Sequence, residues 1–187
     1  MLYAKDSEGR RVSPREVQKQ AFCPVCGAVV VPKQGPILVD HFAHLDRDEC
    51  DPWAEVGKGE WHLFWQRHVE PERREVVCTY PGDPQKHRAD MVAPTGHVIE
   101  AQHSSIGIDD VAKREAFYSR VHRGLVWIVD AREFWERVEP FVPGVQGREL
   151  VGQIRYELEE SGETGSVEFR WSRPRHAWFA ANCEVYL

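Results

Sequence analysis

The chain of 187 residues is long enough for one sizeable domain, or for one domain with a small appendage. It has 42% hydrophobic residues and no apolar run of membrane-spanning length, so no association with a membrane is expected. The formal net charge of -6 argues against a broadly basic coat for nucleic acid. It does not exclude a nucleic-acid enzyme, because a cation site needs clustered acids. The N-terminus lacks the apolar core of a secretory signal, which predicts a cytoplasmic location.

The N-terminal part consists of short apolar pieces broken by Gly and Pro, with Cys and His between them. Cys23 and Cys26 form a CxxC pair, and His41 and His44 follow as an HxxH pair. Two thiolates and two imidazoles suit tetrahedral zinc, and the intervening VVVPKQGPILV is typical of a hairpin. A small zinc-binding β module is therefore predicted, with Cys50 as a substitute ligand. The alternative is a buried cysteine pair with histidines that only form hydrogen bonds.

Beyond this module, the hydrophobic pattern changes from helical to extended and back. The predicted elements are a helix within residues 53–69, strands at 74–80, 88–93 and 97–103, a helix at 109–123 and a doubly buried strand at LVWIVD. This order implies a mixed sheet with helices on its faces. The remaining segments, IRYEL, SVEFRW and AWFAANCEVYL, are expected to form two or three further strands.

Two predicted strands carry polar residues that suggest chemistry. Because successive side chains of a strand point to opposite faces, Glu100 and Gln102 share one face. Asp90 on the preceding strand could converge with Glu100 on Mg²⁺, which takes one or two carboxylates and leaves positions for water and phosphate. Glu60, at the start of the first helix, could add a third acid. The alternative, which spacing alone favours, is that Asp90 pairs with Arg88 and that Glu100 lies on a solvent-exposed edge.

Six segments occur in a characteristic order, namely FCPVC…HFAH, GEWHLFWQ, RADMV, VIEAQHSSI, REAFY and LVWIVD. Over roughly residues 1 to 130, they resemble the competence protein CoiA-like family, which is similar to the PD-(D/E)xK nuclease superfamily. The resemblance implies an α/β fold with a restriction-endonuclease-like mixed sheet flanked by helices. It also implies a metal-dependent site that hydrolyses DNA phosphodiesters.

The resemblance assigns roles to individual residues. It makes Asp90 the aspartate of the motif and Glu100 its second acid. Gln102 stands where many members of the superfamily have lysine, and glutamine there is typical of the CoiA-like pattern. His62 matches a family histidine on the first helix. The chain departs from the family at Gln66, where a lysine usually follows the histidine by one turn.

Neither expected lysine is therefore present, and the second predicted helix is the next source of positive charge. Lys113 or Arg114 could supply it. Arg114 and Tyr118 lie one turn apart, and this pair resembles the Gln-x3-Tyr of some exonuclease relatives. The alternative is an ordinary solvated helix on which Tyr118 only packs.

Three units are predicted: a zinc-finger-like module at 1–50, a nuclease-like core at 51–137, and a β-rich extension at 138–187 that is separate or part of the core. The predicted function is a DNA nuclease dependent on Mg²⁺ or Mn²⁺, with structural Zn²⁺, acting in competence, recombination, repair or defence. The alternative is a catalytically inactive DNA-binding or scaffold protein with a nuclease fold, consistent with the missing lysines. The combination of Asp90, Glu100 and Gln102 favours the enzyme, because a binding protein has no use for acids that face phosphate. Oligomeric state and DNA form are left open by the sequence.

Overall fold

The computed structural model describes residues 1–36, 38–46, 50–54, 59–130, 151–158, 163–170 and 176–186. Within these ranges the chain forms two five-stranded sheets and one two-stranded sheet, together with short helices. The expected mixed α/β architecture is confirmed at this level. None of the helices in these ranges is long and apolar enough to cross a bilayer.

The first sheet is built from the N-terminal strands. These are β1 (Ala4–Lys5), β2 (Arg11–Val12), β3 (Ala21–Phe22), β4 (Val29–Lys33) and β5 (His41–His44), in the order β2-β1-β3-β4-β5 with antiparallel pairing throughout. Strands β4 and β5 form a hairpin in the predicted region, but its second strand is the HFAH segment itself and not the ILV segment before it. Ala4, Ala21, Val30 and Phe42 are each no more than 1% exposed and form the centre of a small core.

The second sheet contains the central part of the chain. Its strands are β6 (Arg74–Thr79), β7 (Lys86–Val92), β8 (Val98–Gln102), β9 (Leu125–Val129) and, after the separate antiparallel pair β10 (Val151–Leu158) and β11 (Glu163–Arg170), β12 (Glu184–Tyr186). The order is β12-β9-β8-β7-β6. Pairing is antiparallel between β6, β7 and β8, and parallel from β8 to β9 and β12.

Two helices accompany this sheet, α1 (Glu60–Gln66) before β6 and α2 (Ile108–Val121) between β8 and β9. The predicted order of helix, three strands, helix and strand is therefore confirmed. Helix α1 is shorter than predicted, because the chain turns at 51–54 and a 3-10 turn at Pro71–Arg73 leads into β6. Gly96, with φ of 88°, turns the chain between β7 and β8, a conformation that glycine adopts without strain.

The C-terminal residues return to the second sheet. Strand β12 pairs with β9, so the last described residues complete the same sheet that holds β7 and β8. The apolar run before it was expected to be extended, but His176–Phe179 is helical. Short apolar runs do not distinguish the two conformations by periodicity. Here the helical turn places Trp178 against Trp127, with ring centroids 5.2 Å apart.

The N-terminal sheet contacts the second sheet at its edge strand, β6. Val77 packs against the small N-terminal core. The backbone N–H groups of Leu2 and Tyr3 donate to Glu75 Oε2 at 2.6 and 3.3 Å. This contact covers part of a strand that would otherwise present unpaired backbone groups.

Candidate metal centres

Three cysteines and one histidine of the N-terminal part lie close together. The ligand atoms of Cys23, Cys26, His44 and Cys50 are all within 4.8 Å of one another. Cys23 Sγ is 3.7 Å from Cys50 Sγ, and Cys26 Sγ is 3.4 Å from His44 Nε2. A tetrahedral zinc ion would hold two sulfurs about 3.8 Å apart and a sulfur and a nitrogen about 3.6 Å apart, given its usual bond lengths. The four side chains therefore fit a structural metal ion such as zinc.

Local structure explains why these ligands converge. Gly27, with φ of 75°, follows the CxxC pair and lets the chain reverse, and its N–H donates to Cys23 O at 2.9 Å. His44 ends β5 opposite Val30 of β4. Burial raises the pKa of Cys23, and burial with the neighbouring thiol of Cys23 raises the pKa of Cys50. A bound cation offsets both effects, because thiolates are its ligands.

The ligand set differs from the predicted one at a single position. His41 is not a member of the cluster, and its Nδ1 lies 2.8 Å from Val39 O instead. Both histidines belong to β5, and residues three apart on a strand point to opposite faces. The HxxH spacing therefore cannot bring His41 and His44 to the same ion. Cys50, the substitute ligand, occupies the fourth position.

A second group of polar side chains surrounds a small pocket beside β7 and β8. The pocket is lined by Trp53, Ala54, His62, Arg88, Asp90, Glu100, Ala101, Gln102 and Arg114. Its free space of about 10 Å³ is enough for about one water molecule. The structure thus brings four of the predicted site residues, His62, Asp90, Glu100 and Gln102, to the same place.

The two acids are neighbours on adjacent strands. The register Met91↔Ile99 places Asp90 beside Glu100, and each is 6% exposed. Asp90 Oδ2 accepts a hydrogen bond of 3.0 Å from Ala101 N, and Glu100 Oε1 accepts one of 3.3 Å from Asp90 N. Glu100 therefore does not lie on a solvent-exposed edge, and the alternative that spacing favoured is wrong on that point.

Arg114 of α2 supplies the positive charge that the missing lysines left in question. Its Nη1 is 3.5 Å from Glu100 Oε2, and its side chain is 9% exposed. Lys113 is instead exposed and pairs with Asp110 at 3.5 Å. Tyr118, one turn beyond Arg114, is 1% exposed, and burial together with the Glu100 carboxylate raises its pKa. Both residues of the predicted Arg-x3-Tyr pair thus face Glu100.

The positions of the two glutamines show different roles. Gln102 Nε2 donates to Ser104 O at 3.0 Å and to Ser104 Oγ at 3.1 Å, which fixes the orientation of the amide at the pocket. Gln66, which stands at the family's lysine position on α1, donates from Nε2 to Asp90 O at 3.3 Å. Gln66 therefore supports the backbone of β7.

Helix α1 brings one predicted residue to the pocket and not the other. His62 lines it and is 4% exposed. Glu60 is exposed and is not one of the lining residues. Two residues along a helix correspond to about 200° of rotation, so the two side chains point in opposite directions. Glu60 is thus not placed to add a third acid.

Sequence reasoning missed Trp53 as a lining residue and Glu75 as a neighbour of Arg88. Arg88 Nε lies 3.9 Å from Glu75 Oε1, a carboxylate of β6. The alternation along β7 contained a signal for Arg88, because residues 88 and 90 share a face. Trp53 has no comparable signal, since it reaches the pocket through tertiary packing.

Comparison with known proteins adds one finding. Residues 8–52 match the family model described as competence protein CoiA, N-terminal domain. This segment is similar to the CoiA N-terminal domain. The match supports the predicted CoiA-like family and includes all four clustered ligands, while the pocket lies beyond it. No curated protein and no solved structure gives a match. The relation to the PD-(D/E)xK superfamily stays a prediction.

Proposed function

We propose that this CoiA-like chain is a DNA nuclease that depends on Mg²⁺ or Mn²⁺ and acts in DNA processing connected with competence. The observation that carries the proposal is the buried pair Asp90 and Glu100, side by side in one pocket with Gln102, His62 and Arg114. The name of the matching family supports the biological setting. A mixed sheet accompanied by helices also supports the proposal, because the resemblance implies such an architecture.

The charge balance of the pocket also supports a cation. Two buried carboxylates on adjacent strands cost free energy unless positive charge compensates them. Among the described residues around β7 there are four buried carboxylates, Asp51, Glu75, Asp90 and Glu100, against the two buried guanidinium groups of Arg88 and Arg114, and Asp51 is paired with His87. Carboxylate oxygens are the ligands that Mg²⁺ and Mn²⁺ prefer. Asp90 and Glu100 are therefore the residues that would hold the ion.

The other residues have roles that follow from their positions. A divalent cation, when bound, activates water and neutralises charge on a phosphodiester. Arg114 orients the Glu100 carboxylate and offers further N–H donors to phosphate oxygens. Gln102 presents an amide of fixed orientation, and His62 is a buried imidazole suited to proton transfer.

Isosteric variants of the acids test the proposal. We expect the protein to cleave DNA with added Mg²⁺ or Mn²⁺ and not in buffer free of both ions. Asp90→Asn and Glu100→Gln should each lower the rate by about 10²-fold or more, because a ligand charge is lost while the shape is kept. A cleavage time course on supercoiled, linear and single-stranded DNA measures this. Asp83→Asn, which alters a surface ion pair with Arg120, is the control and should cleave like the parent.

If the double variant Asp90→Asn, Glu100→Gln also cleaves like the parent, the site is elsewhere or the activity is a contaminant.

A second function is favoured by glutamine at both lysine positions, Gln66 and Gln102, and by the net charge of -6. It is a catalytically inactive DNA-binding or scaffold protein. A parent protein that binds DNA but leaves every DNA form intact would establish it.

For the N-terminal cluster we predict, separately, one bound zinc ion per chain. Elemental analysis of protein purified without added metal should show it, and Cys50→Ser should lower the content because the fourth ligand is lost. His41→Ala is the matched control and should keep the metal, since His41 lies outside the cluster. Structural zinc contributes folding free energy, so chelation should also lower the melting temperature. Parent protein without zinc, or loss of zinc in His41→Ala alone, would contradict this ligand set.

A further inference from the structure

A short segment connects the two candidate metal centres. Cys50 belongs to the N-terminal cluster, and Trp53 and Ala54 line the pocket. The intervening turn is closed by a hydrogen bond of 3.0 Å from Ala54 N to Asp51 O. Only Asp51 and Pro52 thus separate Cys50 from the wall of the pocket in the sequence.

Asp51 fixes this segment to β7. Its side chain is 0% exposed, and Oδ1 lies 2.9 Å from His87 Nδ1. Arg88 N donates to Oδ2 at 2.7 Å, and Trp53 N donates to Oδ1 at 3.0 Å. One carboxylate therefore holds two consecutive residues of β7 and its own turn. Such hydrogen bonds to a buried charge are among the stronger ones in proteins.

Trp53 connects this turn to Arg114 and, through it, to Glu100. Its ring stacks on His87 with centroids 3.3 Å apart and planes 13° apart. Its carbonyl oxygen accepts a hydrogen bond of 3.2 Å from Arg114 Nη2. Arg114 in turn lies 3.5 Å from Glu100 Oε2. The position of Trp53 thus contributes to the position of the guanidinium that faces Glu100.

We propose that Asp51 is a positioning residue that couples metal binding at Cys50 to the arrangement of Arg114 and Glu100 in the pocket. The metal ion fixes Cys50, Asp51 fixes the next turn on β7, and Trp53 holds Arg114. Loss of the N-terminal metal then loosens the pocket without removing any pocket residue. Because such coupling is reciprocal, an ion bound in the pocket also tightens the N-terminal metal. Only the activity test of this coupling rests on the proposed nuclease function.

Amide hydrogen exchange tests the coupling in the unmutated protein and needs no activity. Zinc is removed with a chelator of low Mg²⁺ affinity, and exchange is followed by mass spectrometry. We expect faster exchange in 86–92 and 98–102, which include the amides of Arg88 and Ala101 that donate to Asp51 and Asp90. Strand β12, at the other edge of the sheet, is the internal control and should change little. Unchanged exchange in 86–92 and 98–102 after zinc loss would overturn the proposal.

Asp51→Asn tests the positioning role, with Asp83→Asn as the matched control. The variant should keep its zinc and its affinity for DNA but lose about 10- to 100-fold in kcat, since the reacting groups are only misplaced. Zinc removal should then slow it far less than it slows the parent, because both changes act through the same segment. If zinc removal and Asp51→Asn lower kcat independently, so that their effects multiply, the coupling is overturned. A kcat of Asp51→Asn equal to that of the parent would overturn it as well. If the parent itself does not cleave DNA, the proposed function fails, and the exchange experiment still decides the coupling.

Discussion

By the resemblance, Gln102 occupies a position at which many members of the superfamily have lysine and the CoiA-like pattern has glutamine, and its surroundings suit an amide. The residue is 3% exposed, and its Nε2 donates to Ser104 O and Ser104 Oγ. An amide can donate and accept hydrogen bonds, but it cannot neutralise charge as an ammonium does. In this chain Arg114, beside Glu100, carries the positive charge. Under the proposed function, the hydrogen bonding and the positive charge of one lysine would be divided between Gln102 on β8 and Arg114 on α2.

Substitutions at Gln102 separate these functions. Gln102→Ala should lower turnover by about 10²–10³, the usual effect of losing one preorganised hydrogen-bonding group, while metal affinity stays nearly unchanged. Gln102→Lys should keep part of the activity, because an ammonium suits the role that relatives assign to this position. A cleavage time course and metal titration by calorimetry measure the two effects. The exposed Gln85→Ala is the control. Full activity in Gln102→Ala, or loss of metal binding with it, would show that Gln102 is not the orienting group.

At the residue scale, the sequence predicted those site residues whose position follows from strand alternation or from the resemblance. Asp90, Glu100, Gln102 and His62 all reach the pocket. The prediction of His41 as a ligand neglected the alternation of β5, which places His44 on the opposite face. Trp53 and Arg114 meet across 61 positions of sequence, so no local pattern contains that contact.

At the scale of elements, hydrophobic periodicity gave the order of helices and strands around β7 and β8. It failed in short segments, where tertiary contacts decide the conformation. The turn at 51–54 replaces the predicted start of α1 because Asp51 is held by β7. His176–Phe179 is helical because that turn buries Trp178 on Trp127. Neither partner lies close in sequence to the segment it determines.

Helix α2 also determines where the C-terminal strand docks. Glu115 accepts hydrogen bonds from Asn182 N at 3.1 Å and from Cys183 Sγ at 3.1 Å. Both donors immediately precede β12, the edge strand that pairs with β9. The carboxylate is 7% exposed, so its contacts are shielded from water. The bonded residues are 67 and 68 positions apart in the sequence. A residue of helix α2 thus anchors a strand that lies far from it along the chain.

Removal of this carboxylate should loosen β12. We expect Glu115→Ala to lower the free energy of unfolding by about 1–3 kcal/mol, because a buried backbone donor loses its partner. Amide exchange in residues 184–186 should accelerate more than exchange in β7. Glu184→Ala, which removes an exposed carboxylate from the strand itself, is the control and should leave both unchanged. Equal acceleration throughout the sheet would indicate general destabilisation instead of undocking.

At the scale of the whole molecule, two carboxylates connect the second sheet to the N-terminal part. Asp51 holds one end of that part, and Glu75 of β6 holds the other through Leu2 N and Tyr3 N. Glu75 has φ of 47°, the left-handed region, at a point where the β6–β7 pairing passes from Arg74↔Met91 to Val76↔Ala89. A side chain in this region costs about 1–3 kcal/mol, which its buried contacts must offset. The contacts between the sheets therefore depend on a strained residue.

Variants of Glu75 test how far the two sheets unfold together. Glu75→Ala removes the acceptor of two backbone N–H groups but keeps the unfavourable backbone conformation. It should therefore cost about 1–3 kcal/mol, or roughly 2–12 °C in melting temperature for a chain of this size. Glu75→Gly also removes the acceptor but relieves the strain, so it should be the less destabilised of the two by several tenths of a kcal/mol or more. Thermal unfolding followed by circular dichroism measures both, with the exposed Glu70→Ala as control. If the melting temperature of Glu75→Ala equals that of the parent, the carboxylate does not hold the sheets together, and other contacts attach the N-terminal part, among them Val77, the Asp51 segment and the hydrogen bond from Arg11 Nη2 to Arg74 O.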